Sequence, residues 1–173
     1  MSRFCCAIPG PKGDTGEIFA RYGSFYSLQD QHYAQNTPTA MEFEITDLSN
    51  GVSITNNALG RPTRISFDNL GVYNIQFSAQ LHNNGGGGAG NTVDIWLKHN
   101  DVVEPNTNTK IVINTNGPYL VAAWNFFVNV DTLPEWFEIF WNSDNANIWI
   151  EYIAANGSIP AVPSIILTVN QVG

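Results

Sequence analysis

At 173 residues the chain is long enough for one domain with a core of its own, and its 43% hydrophobic and 12% aromatic content excludes a disordered protein. Charged residues make up 13%, about half the usual share, and a net charge of −8 excludes a phosphate backbone as a partner. No stretch approaches the 18 apolar residues of a membrane-spanning helix, so the expected partners include neither nucleic acid nor membrane.

Residues 1–20 differ from the rest. The apolar run 4–8 is too short for a secretory leader and stops at Pro9, so synthesis and folding in a cytosol are expected. Cys5 and Cys6 are neighbours, a spacing that strains a mutual disulfide, and they read as reduced thiols. Gly10-Pro11-Lys12-Gly13-Asp14-Thr15-Gly16-Glu17-Ile18 puts Gly at every third position, the period of a collagen triple helix, although three triplets cannot hold one alone. The expectation is an extended attachment arm over 1–20, with Phe4, Ile8, Pro9 and Pro11 as its contact candidates, followed by one head domain over 21–173.

Short strands divided by turn signals begin at about Tyr22. Residues 41–46 alternate apolar with polar, as does the segment around Ile65 and Phe67. The longest alternation is 72–82, with Tyr73, Ile75, Phe77, Ala79 and Leu81 on one side and Asn74, Gln76, Ser78, Gln80 and His82 on the other. Val93, Ile95 and Leu97 continue it, then Ile111 and Ile113. Asn50-Gly51, Asn56-Asn57, Asn116-Gly117-Pro118 and Asn156-Gly157 are turn positions, and 83–90 is a glycine-rich hairpin loop. No segment has the period of a helix.

The later strands are apolar on both sides. Residues 119–130 set Leu120, Ala122, Trp124, Phe126, Val128 and Val130 against Tyr119, Val121, Ala123 and Phe127; 136–141, 148–153 and 164–169 are similar. In a two-sheet sandwich the inner side meets the other sheet, so a second cover is needed outside, and another copy of the chain is the economical one. Eight to ten strands spaced roughly ten residues apart indicate an all-β, antiparallel two-sheet sandwich or jelly roll.

The head resembles the C1q-like and tumour-necrosis-factor-like jelly rolls over about residues 22–173. The likeness is carried by the Gly-x-y segment, the early aromatic strand Gly23-Ser24-Phe25-Tyr26, the stretch from Ile65-Ser66-Phe67 through Gly71-Val72-Tyr73, and the closing Ser164-Ile165-Ile166-Leu167-Thr168-Val169-Asn170-Gln171. That resemblance implies a homotrimer packed through one sheet of each protomer, with Phe127, Trp136, Phe140, Trp149 and Tyr152 as interface candidates. The chain departs from the extracellular members in lacking cysteines in the head. Its Asn, Gly and Thr content and its Ile166-Leu167-Thr168-Val169-Asn170-Gln171 ending are similar to small virion proteins of tailed phages.

Catalytic chemistry has little to work with. His32, His82 and His99 show no metal-ligand spacing, and His82 and His99 read as surface residues. Glu42 and Glu44, and Glu135 and Glu138, read as solubilising surface acids rather than a hydrolytic carboxylate pair. Asp144 belongs to a strand–strand turn rather than a calcium loop. No cofactor is expected. The sequence thus points to a non-enzymatic virion protein: a trimeric capsid decoration, or cement, protein attached by its arm to the major capsid protein or another virion protein. The alternative is a receptor- or glycan-binding knob of a head or tail fibre, with Trp96 as the ligand-binding candidate on an otherwise polar strand face that includes Asp94 and Lys98.

Overall fold

A computed structural model describes residues 20–85, 90–114 and 118–173. The arm candidates Phe4, Ile8, Pro9 and Pro11, both cysteines, the glycine triplets and parts of two expected loops lie outside the described residues.

Thirteen strands occur among the described residues: β1 (Tyr22–Ser27), β2 (Thr39–Ala40), β3 (Ile45–Asn50), β4 (Val52–Asn56), β5 (Pro62–Phe67), β6 (Gly71–Asn83), β7 (Asn91–His99), β8 (Val102–Val103), β9 (Thr109–Ile113), β10 (Leu120–Val130), β11 (Trp136–Ser143), β12 (Ile148–Ile150) and β13 (Ile165–Gln171). They form two sheets, antiparallel throughout their strand pairings. Sheet one runs β10-β6-β13-β1-β3, with β12 also on β6; sheet two runs β4-β5-β11-β7-β8, with β2 also on β11 and β9 on β7. The chain's first described strand therefore lies beside its last, the crossing that makes the sandwich a jelly roll.

Period-two alternation drives the packing. The side of β6 that carries Tyr73, Ile75, Phe77, Ala79 and Leu81 is buried, and it meets Ile95 and Leu97 of β7 and Ile139 of β11 within one core. From sheet one, Phe25 of β1 and Ile165, Leu167 and Val169 of β13 complete that core. Of the two apolar sides of β10, the inner one is that of Leu120, with Ala122, Val128 and Val130 buried and Leu120, Trp124 and Phe126 packed against the core.

The alternation at 41–46 has a different cause from the one expected. The strand starts at Ile45; the preceding segment bridges the two strands β11 and β5 instead, with Met41 N–H donating to Ile139 O and Phe43 N–H to Pro62 O, both at 2.8 Å. Met41 and Phe43 are both buried, so the periodicity marked burial correctly and pairing incorrectly. Gly51 makes the β3–β4 turn at φ 72°, where a Cβ would also lie 2.7 Å from the Arg21 side chain.

Candidate interaction surfaces

The outer face of sheet one is set by the register of its three neighbours β10, β6 and β13. Val121 lies opposite Gln80, and Ala123 opposite Ser78, which also pairs with Ile166. Asn125, Gln76 and Thr168 form the next row, and Phe127, Asn74 and Asn170 the one after. Phe127 is 67% exposed, Val121 61% and Ile166 42%. Toward the β3 edge, Leu48 lies opposite Ser24 and is exposed, as is Tyr22.

The middle of this face is uncharged as well as apolar in places, and the charged groups Asp47 and Glu151 stand at its margins. Strands β1, β6, β10 and β13 contain no Asp, Glu, Lys or Arg. At its far end His82 stacks on Tyr119 at 4.3 Å and meets the Glu151 carboxylate at 2.7 Å. Burial, followed by the charge and hydrogen bond of Glu151, pushes the Tyr119 phenol up. Trp149 shares this face through its pairing with His82 and stacks on His32 at 4.4 Å. Tyr152 follows β12, its backbone N–H donating to Asp30 at 2.8 Å.

The outer face of sheet two is built differently. Trp136 lies under the Arg64 guanidinium at 4.3 Å, and Phe140 under the Lys98 ammonium at 4.0 Å. Beside them Arg61 sits 5.4 Å from the Tyr33 ring, and Tyr33 O–H donates to Glu42 at 2.6 Å. Trp96 pairs with Phe140 across β7 and β11 and is half-buried. The long stems of Lys and Arg cover apolar rings while their charges stay wet.

The five interface candidates therefore do not share a face. Phe127 and Trp149 lie on sheet one and Tyr152 beside it, whereas Trp136 and Phe140 lie on the opposite side of the sandwich. Two-sided apolar strands show that both sides are covered, but not which strand joins which sheet. Sequence reasoning also passed over Val121, Ile166, Tyr22 and Leu48 as exposed members of one surface. The absence of charge from four strands was the available signal.

No protein-family model matches the chain, and no curated protein matches it in sequence. Solved structures match it in shape. The crystal structure of murine APRIL at pH 8.0 aligns with a TM-score of 0.51 at 8% identity, over 88% of this chain and 99% of that one. The globular domain of zebrafish complement 1qA protein gives 0.46 at 9% identity over 87% and 93%, and PRD1 vertex protein P5 gives 0.46 at 11% over 89% and 96%. The fold is a C1q/TNF-like jelly roll. At such identities the likeness is one of fold.

Two carboxylates of this jelly roll correct the reading of surface acids. Glu135 and Glu138 are each 2% exposed. Glu135 is paired with His99, whose ring stacks on Phe137 at 4.5 Å, so His99 is a packed residue rather than a free surface one. The Glu138 carboxylate accepts a hydrogen bond from the buried Thr63 hydroxyl. Buried carboxylates persist where such partners satisfy them. Asp144 accepts from Thr92 N–H and O–H, both at 2.8 Å, and ties the β11–β12 turn to β7. Among the described residues no three His, Cys, Asp or Glu side chains gather as they would around a metal ion.

Proposed function

We propose that the chain is a non-enzymatic virion structural protein, a homotrimer whose jelly-roll heads meet through the outer face of sheet one and whose residues 1–20 attach them to a capsid. The observation that carries this reading is the uncharged face of β10, β6, β13 and β1, with Phe127, Val121 and Ile166 exposed on it. Soluble surfaces are normally rich in charge, and the centres of protein interfaces are depleted of it. Gln76, Ser78, Gln80 and Thr168, interspersed there, can hydrogen-bond across a closing interface without the desolvation cost of ions.

The virion setting rests on the sequence: the Asn-, Gly- and Thr-rich composition, the low charge and the short Gly-x-y segment before a head of this fold. A decoration role requires no chemistry beyond adhesion. Apolar burial at about 25 cal/mol per Å² would hold the trimer, and the arm would supply attachment.

The test is position and copy number on an intact particle, together with a chain lacking residues 1–20. Hundreds of copies over the capsid surface, lost with the arm, are expected. A few dozen copies or fewer confined to fibres would support the knob instead. Undiminished incorporation of the truncated chain would overturn the role of the arm.

A further inference from the structure

On the outer face of sheet two, away from the proposed interface, a basin of about 410 Å³ opens beside Trp96. Its lining includes Trp96, Asn142, Pro38, Glu104, Asn108 and Asp94. The volume is of the order of a small-molecule site.

The lining combines an aromatic side chain with amides and carboxylates. Asn108 donates through Nδ2 to Asp94 Oδ1 at 2.9 Å, and Lys110 Nζ donates to Asp94 Oδ2 at 2.8 Å. Burial pushes the Asp94 carboxyl up, but the hydrogen bonds from Lys110 and Asn108 and the Lys110 charge outweigh it and leave that carboxyl below its ordinary value. Asp94 thus fixes the Asn108 amide, whose oxygen has no hydrogen bond among the described residues. Asn142 Oδ1 is buried without a hydrogen-bond partner among the described residues, and a turn of that amide would bring it to a ligand.

We infer that this basin binds a neutral hexopyranose unit of a glycan. One face of such a ring carries C–H groups of slightly positive character, which suit the negative face of an indole. Its hydroxyls both donate and accept, matching amide oxygens and the Glu104 carboxylate. Two carboxylates in the lining and a net charge of −8 select against uronic and sialic acids. The residues come from one chain, so the site stands or falls independently of the trimer.

The test is an NMR titration of the tryptophan indole signals with methyl glycosides of glucose, galactose, mannose and N-acetylglucosamine, with glucuronic acid as the acidic control. A saturable shift of the Trp96 signal by at least one neutral sugar, and none by glucuronic acid, is expected. Trp96→Ala and Asn108→Ala should each weaken binding by roughly tenfold or more. Trp136→Ala, on the same sheet face but under Arg64, should leave affinity unchanged. Asn108 is exposed, so its variant keeps the test valid if Trp96→Ala does not fold. No saturable shift with any neutral sugar, or binding that survives both substitutions, would overturn the assignment.

Discussion

The two outer faces of the sandwich each carry aromatic side chains, and they differ in what covers them. On sheet two, Trp136, Phe140 and nearby Tyr33 each lie by a cation, so Arg64, Lys98 and Arg61 make those rings compatible with water within one chain. On sheet one, Phe127 is 67% exposed with no such cover among the described residues. The chain has only seven Lys and Arg, and Arg61, Arg64, Lys98 and Lys110 all serve the sheet-two side. In the proposed trimer, which aromatics meet a partner chain is therefore set by where the few cations are placed, rather than by where the aromatics are.

The sharpest way to break this comparison is to charge the uncovered face. Phe127→Asp should convert the proposed trimer to monomers with the head still folded, an association loss of several kcal/mol, about 3 or more, read by light scattering. Its counterpart on the covered face, Phe140→Asp, should leave the association state unchanged.

Next in size is a change on neither face. His99→Ala removes the partner of the buried Glu135 carboxylate and should lower unfolding free energy by about 2 kcal/mol, the exposed part of the imidazole moderating the loss. Chemical denaturation measures it, and an unchanged midpoint would show that Glu135 finds another partner.

How much of this was legible in the sequence follows from what alternation encodes. The phase of β6 showed which side faces the core, and that of β10 divided its residues into two sides without saying which is inner; Asn74, on the polar side of β6, is buried nonetheless. Met41 and Phe43 were likewise placed in the core although their segment is not a strand at that point. Grouping residues by sheet was not legible. Phe127 and Phe140 look alike in strands of similar character, and their separation onto opposite faces arises from long-range pairing, β10 with β6 and β11 with β7. Glu135 and Glu138 were misread for the same reason: their partners His99 and Thr63 are distant in the chain.

A smaller effect tests the cation cover itself. Arg64→Ala should cost about 1 kcal/mol and shift tryptophan emission to longer wavelength as Trp136 meets water, without changing the association state.

The smallest expected effect is on alkaline stability, again on the covered side. Burial pushes the Tyr33 phenol up from 10.0, the hydrogen bond and charge of Glu42 add to this, and Arg61 offsets only part. The folded protein therefore holds that proton more tightly than the unfolded chain does. Its contribution is intact below pH 10 and is lost as the pH rises above it toward the folded value. Tyr33→Phe should flatten this alkaline fall in denaturation midpoints; an equally steep fall in the variant would assign it elsewhere.

The central claim concerns the uncharged face of sheet one, and sedimentation equilibrium of the purified chain at micromolar concentration tests it most directly. A single species of three times the chain mass, returned to one chain mass by Phe127→Asp, is the predicted result. A stable species of one chain mass in the unaltered protein, with Phe127 open to water, would contradict it.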